Sequence, residues 1–152
     1  MIVGRVAPEI QSHWRDYLIS KPGGGNLELT WAGLVPHDLI PGVDRSAHLF
    51  YSADINSACP NAVIEALACG LPVVAFETGA LPELVIGDAG RLVPYGGDPW
   101  RLDQPDVDSL AAAARQILSQ PLRFRSGARA RAETAFDLEK MVDDYLEVLV
   151  GS

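Results

Sequence analysis

Between Leu71 and Phe76 the chain reads LPVVAF, six residues without one polar side chain. A strand wetted on one face alternates apolar and polar residues. A strand apolar at both parities has to be covered on both faces, which is the situation of a parallel sheet. The segment before it, PNAVIEALACG (60–70), reads as a helix with Pro60 at its start and Gly70 just past its end. From Ala62 to Val74 every side chain except Glu65 is apolar, glycine or proline. Withdrawing an ionised carboxylate from water costs on the order of several kcal/mol unless it is paired or hydrogen-bonded. Glu65 is therefore expected to have a partner, either in the protein or in a ligand.

The rest of the chain repeats this alternation. IVGRV (2–6) reads as a strand and PEIQSHWRDYLIS (8–20) as a helix, with Ile10, Trp14, Tyr17 and Leu18 at helical spacing. KPGGGN is a turn cluster, and LELTWAGLV (27–35) alternates like a strand. A further strand is expected near 48–52, a short helix at ALPELV and a last strand at GRLVPY. DVDSLAAAARQILS is an amphipathic helix that Asp106 or Asp108 can cap. Two more helices fill 122–150, the second being LEKMVDDYLEVLV. The expected fold is α/β: one doubly wound, Rossmann-like parallel sheet in a three-layer α/β/α domain covering residues 1–152.

Composition limits what such a domain does. With 152 residues, 48% of them hydrophobic and 21% charged, the chain has material for a single domain with a core. The formal charge of −8, with twelve scattered basic residues, argues against affinity for nucleic acid or an anionic surface. No apolar run approaches the roughly 18 residues of a membrane span, and no secretion-signal pattern opens the chain, so a cytoplasmic location is expected. Cys59 and Cys69 have no metal-like spacing and are expected to be buried free thiols. The immediate start on an apolar strand suggests a fragment cut at a domain boundary.

In doubly wound sheets ligands sit at the carboxyl ends of strands, where helix N-termini favour phosphate. The loop before Pro60 and the loop ETGALPE after Phe76 are such places. A carboxylate in the second turn of a helix can take both hydroxyls of a ribose while the free amides of the first turn meet phosphate. From chemistry alone this role for Glu65 weighs about equally with an ion pair to Arg5 or Arg91, or with backbone N–H donors. Thr78 and Gly79 allow amides to face a phosphate, with Glu83 in the next helix; an ordinary turn is the plainer alternative. KPGGGN follows a helix and opens a strand, the reverse of a phosphate loop, and is read as a turn. His13, His37 and His48 share no metal or triad spacing, so no catalytic residue and no metal is assigned.

The order WAGLVP, then LFYSADINSACPNAVIEALACGLPVVAFETGALPELV, then GDAGRLV resembles the C-terminal nucleotide-sugar-binding domain of the family 4 (group 1) retaining glycosyltransferases of the GT-B fold. The resemblance implies that Glu65 binds the donor ribose. It also implies a first acid eight residues earlier in an E-x7-E motif, where this chain has Ser57. Serine carries no charge, so hold on the donor sugar is weakened at that position; Asp54 lies nearby in sequence. Pro60 removes one amide that could face phosphate. On the family register Gly4-Arg5 is not the diphosphate grip, which falls upstream of Met1 together with the acceptor domain.

The implied function is the donor-binding half of an enzyme moving a hexose from a nucleoside diphosphate sugar to a glycan or lipid acceptor, with no cofactor beyond that donor. Donor contacts fall to Glu65, Ser57, Asn61, Ala62, Thr78, Gly79 and Glu83, and base contacts to Leu34, Val35 and Pro36. The acceptor would enter through the missing domain, and the isolated chain is expected to be inactive. The last helix resembles one that packs on that domain, so its apolar face is expected to be exposed or buried in a dimer. Peripheral membrane association of the full-length enzyme stays open, as do two rivals, a nucleotide-sugar epimerase and a non-catalytic nucleotide-sugar-binding scaffold.

Overall fold

The computed structural model describes residues 1–21 and 27–151. The chain forms two compact units, Met1–Ile40 and Pro41–Ser152. Both are built from parallel strands and helices, the α/β class read from the sequence.

In the first unit β1 (Ile2–Val3) and β2 (Trp31–Gly33) pair in parallel, with helix α1 (Pro8–Ser20) between them in sequence. Pro8 opens α1, where its missing N–H costs nothing. Both strands are shorter than the apolar runs that announce them, since strand length is set by what each residue pairs with. The pairing ends with the Ile2 N–H donating to the Thr30 carbonyl and the Gly4 N–H to the Gly33 carbonyl, both at 2.8 Å. Residues 22–26, most of the KPGGGN turn, lie outside the described residues.

The second unit carries the apolar strand on which the sequence argument rests. After a 3-10 turn (His37–Leu39) that belongs to the first unit, α2 (Ile40–Ser46) runs from Ile40 into the second, which continues with β3 (Phe50–Tyr51), α3 (Asn61–Ala68), β4 (Val73–Phe76) and α4 (Leu81–Leu84). Then come β5 (Gly90–Val93), α5 (Val107–Ser119), α6 (Pro121–Ala135) and α7 (Leu138–Val150). The strands pair in the order β3-β4-β5, all parallel, with Val73 opposite both Phe50 and Gly90. The central strand β4 is buried at all four positions.

Alternation divides the side chains of β4 between two cores. Val73 and Ala75 join Val63 and Leu67 of α3, Leu81 of α4, and Ala128 and Ala132 of α6. Val74 packs with Ala113 and Ile117 of α5 and with Phe124 of α6. Each fully buried Val, Leu or Ile side chain among these contributes about 1.5–3 kcal/mol, and each alanine less. Helix α3 ends as its sequence suggests. Gly70 takes a left-handed φ of 68°, and the Leu71 N–H turns back to the Ala66 carbonyl at 2.9 Å.

Helix α2 was not legible in the sequence, because Pro41 and Gly42 disfavour a helix interior. Pro41 is accommodated because it falls in the first turn. The cap of α5 is Asp106. Its carboxylate accepts the Ser109 N–H at 3.0 Å and the Ser109 hydroxyl at 2.6 Å. Those bonds, the hydroxyl first, hold the Asp106 carboxyl below its ordinary pKa. A group whose pKa is lowered by folding adds stability above its unfolded value and loses it as pH falls through the folded value. Asp106→Ala is therefore expected to lower the urea midpoint at neutral pH, and Asp108→Ala to change it less. The difference between wild type and Asp106→Ala should shrink below about pH 4. A pH-independent difference would rule out the capping account.

Helix α7 buries none of its residues. Leu138, Met141, Tyr145, Leu146 and Leu149 are all exposed. Among the described residues no helix is long and apolar enough to cross a membrane.

Candidate functional site

The loops at the carboxyl ends of β3 and β4 are docked on each other. The Ala80 N–H donates to the Ser57 carbonyl at 2.9 Å, and the Asn56 N–H donates to the Thr78 hydroxyl at 3.4 Å. Thr78 is 6% exposed, and its own N–H donates to the Phe76 carbonyl at 2.9 Å. Asn56 and Gly79 both adopt positive φ, 59° and 55°. A Cβ on Gly79 would lie 2.5 Å from the Ser57 carbonyl oxygen and 2.7 Å from the Asn56 carbonyl carbon. Only glycine lets the two backbones approach this closely.

Gly79→Ala is therefore expected to cost about 1–3 kcal/mol in backbone strain and to push the Asn56–Ser57 segment away. Urea denaturation checks this against Gly42→Ala, where a Cβ meets nothing within 4 Å. Equal effects at the two positions would contradict the close approach at Gly79.

Helix α3 begins beside this junction. Pro60 occupies its N-cap without a side-chain cap, and the Pro60 carbonyl accepts the Val63 N–H at 2.9 Å. The first amides of a helix have no intrahelical acceptor, so those of Asn61 and Ala62, both exposed residues, are placed to meet an anion. Cys59 sits in the same loop, with its thiol 3.8 Å from the Asn61 side-chain oxygen. Cys59 is exposed and Cys69 half-buried, both free. The expectation of buried thiols is corrected: Cys59 precedes the helix rather than facing the core, and Cys69 is the C-cap of α3.

Glu65 lies in the second turn of α3 and is half-buried rather than enclosed. It is not a free group. Asp44 of α2 is close enough to feel it: burial, and then the Glu65 charge, push the Asp44 carboxyl above its ordinary pKa. The alternative partner Arg91 is committed elsewhere, donating to the Gly87 and Gly90 carbonyls and to Gln116. Sequence reasoning missed Asp44, because nothing in IPGVDRS signals that it packs toward α3.

Glu83 is exposed in α4. Its position is fixed through the backbone, where Arg131 of α6 donates to the Glu83 carbonyl at 2.6 Å and the Leu84 carbonyl at 3.1 Å. Arg131 was also missed, since its partner lies 48 residues away. Asp54 is exposed, and its amide donates to the Ser52 hydroxyl at 3.4 Å. Leu34, Val35 and Pro36 belong to the first unit, directly after β2. Leu34 and Pro36 are exposed there. Thus Ser57, Thr78 and Gly79 come together at the start of α3, with Asn61, Ala62 and Glu65 on that helix. Among the described residues no cluster of His, Cys, Asp or Glu could hold a metal ion.

Two cavities lie away from these loops. One of about 430 Å³ runs along α7, lined by Lys140, Met141 and Tyr145 among others. The other, of about 560 Å³, lies at the C-terminal end of α3.

Residues 1–120 match the family described as "Glycosyl transferases group 1". The chain is 34% identical over 100 residues to a D-inositol 3-phosphate glycosyltransferase of Corynebacterium jeikeium, covering 66% of this chain and 22% of that protein. It is 32% identical over 103 residues to the O-antigen chain mannosyltransferase B of Escherichia coli, covering 68% and 24%. Among solved structures it is similar to sucrose-phosphate synthase from Thermosynechococcus elongatus, with a TM-score of 0.71, 25% identity, and coverage of 99% of this chain and 38% of that one. It also shares the fold of Anabaena HepE, solved in complex with UDP-glucose, with a TM-score of 0.67, 21% identity, and coverage of 99% and 40%. The chain thus spans less than a quarter of the length of those two curated relatives.

Proposed function

The chain belongs to the group 1 glycosyl transferases, and on that premise we propose that it is the donor-binding domain of a retaining enzyme that transfers a hexose from a nucleoside diphosphate sugar. The observation that carries this reading is the pair of docked loops, Asn56–Ser57 on Thr78–Ala80, set beside the uncapped start of α3 with a carboxylate in its second turn. A nucleoside diphosphate offers the matching groups, since its phosphates suit free helix amides and its ribose diol suits a carboxylate. In this reading Glu65 takes the ribose, and the amides near Asn61 and Ala62 and the Thr78–Gly79 loop take diphosphate and sugar. Glu83 supports that loop or touches the donor, and Leu34, Val35 and Pro36 serve the base. The acceptor, a glycan or lipid, is taken by another part of the full-length enzyme, which acts in the cytoplasm. The relatives' names, an inositol phosphate glycosyltransferase and a mannosyltransferase, favour sugar transfer over epimerisation.

Ser57 keeps a second reading in play, a nucleotide-sugar-binding domain without turnover, because an uncharged side chain cannot offset positive charge developing at the anomeric carbon. Calorimetric titration of this chain with UDP, GDP and their sugar conjugates tests the binding role. Saturable binding of one base is the expected result, and a folded chain that binds none of them contradicts it. In the full-length protein, Ser57→Asp is expected to change the transfer rate if the site turns over, whereas transfer absent from both forms would favour the scaffold.

A further inference from the structure

The C-terminal end of α3 faces a different chemistry from its start. The cavity of about 560 Å³ there is lined by Arg45 of α2, by Cys69, and by Arg125, Ser126, Arg129 and Glu133 of α6. Its volume falls within the range of small-ligand sites, roughly 300–1,000 Å³. Three of the twelve basic residues converge there, in a chain whose formal charge is −8.

Two of the guanidinium groups are fixed in place. Arg125 donates to the Ala47 carbonyl at 2.9 Å and the Arg45 carbonyl at 3.4 Å. Arg129 donates to the Ala68 carbonyl at 2.6 Å and to Glu133 at 2.7 Å. Carbonyl acceptors orient a guanidinium without cancelling its charge, so only the Arg129–Glu133 pair is neutralised within the lining. The bond to Ala68 also masks a carbonyl at the negative end of α3, which would otherwise repel an anion. Arg45 is exposed, and its side chain makes no hydrogen bond or ion pair among the described residues. Asp44 and Glu65 act on Cys69 but do not line the cavity. The lining is therefore net positive, with two oriented forks and one uncommitted arginine.

We propose that this cavity binds a phosphate group through Arg45, Arg125 and Arg129, as a second site separate from the loops at the start of α3. Three guanidinium groups approaching from two helices suit a tetrahedral anion with several acceptor oxygens. The phosphate can be free in solution or carried by a lipid headgroup.

The two cysteines report on the two sites separately. Cys69 lines the cavity, while Cys59 sits at the start of α3. The chain is alkylated with iodoacetamide, an uncharged reagent, and the rate at each cysteine is read by peptide mass spectrometry. Sodium phosphate up to about 20 mM is compared with sodium chloride at equal ionic strength, and phosphatidylcholine vesicles containing about a fifth phosphatidic acid with vesicles lacking it. Protection of Cys69 by about fivefold or more is the expected result, and whether phosphate or the acidic vesicles produce it names the source. In Arg45→Gln, about tenfold more phosphate should be needed, since one charge-assisted contact is lost. Arg115→Gln, on α5 outside the cavity, should behave as wild type. The proposal is overturned if neither phosphate source protects Cys69, if only Cys59 is protected, or if a folded Arg45→Gln chain is protected as well as wild type.

Discussion

Glu65→Ala is expected to weaken UDP or GDP binding by this chain on the order of a hundredfold while leaving the fold intact. Hydrogen bonds to a charged group contribute about 1.5–3 kcal/mol each, and a ribose diol places two of them on one carboxylate. About 2.7 kcal/mol lost is a hundredfold in Kd. Glu65→Gln keeps the shape and one acceptor oxygen but loses the charge, so an intermediate loss of about tenfold is expected. Glu65 is only half-buried and contributes nothing apolar to either core, so both variants should still fold, with any fall in the thermal midpoint limited to the loss of its own polar contacts. Calorimetry with the nucleoside diphosphate reads the affinity, and circular dichroism reads the fold. Wild-type affinity in Glu65→Ala would remove the carboxylate from the proposed site even if Gly79→Ala impaired binding, and the donor would then rest on the loop amides alone.

The largest stability effect is expected at Phe124. Its side chain is 0% exposed and joins α6 to Val74 of β4 and to Ala113 and Ile117 of α5. The ring is also covered by two guanidinium groups, Arg91 at 4.4 Å and Arg123 at 5.7 Å from its centroid. Both arginines are drawn to Asp88, with Arg123 bonded to it at 2.9 Å and Arg91 at 3.8 Å. Arg123, through that hydrogen bond first, holds the Asp88 carboxyl below its ordinary pKa. Removing a buried phenylalanine leaves a cavity and costs about 3–5 kcal/mol. For a chain of this length that corresponds to a fall in Tm on the order of 10 °C. Phe124→Leu, which keeps most of the volume, should cost about 1.5 kcal/mol or less, plus the lost attraction to the guanidinium groups. A loss below about 1 kcal/mol in Phe124→Ala would mean that α6 does not close this core.

How much could be read in advance depended on whether the information was local. The strand β4 and the helix α3 were legible because each follows from its own residues. A run apolar at both parities has to be covered on both faces, and proline and glycine punctuate the helix that feeds it. The cap at Asp106 was legible for the same reason, its partner lying three residues ahead. Helix α2 was hidden by Pro41 and Gly42, and the ends of β1, β2 and β3 were hidden because strand length follows from cross-strand pairing, which the apolar runs do not specify.

Glu65 shows the boundary within one residue. The sequence alone determined that a single carboxylate stands in an apolar segment and has to be partnered, together with the family to which that segment belongs. Tertiary structure decided that it is half-buried and that Asp44 lies near it while Arg91 is engaged elsewhere. It also decided that Ser57 presents its backbone carbonyl to Ala80 and that three arginines gather at the far end of α3. The reason is physical. Burial patterns and caps are short-range and are written in residue types. Contacts through backbone carbonyls, or between residues tens of positions apart, use groups that every residue carries, and they acquire meaning only once the chain has folded.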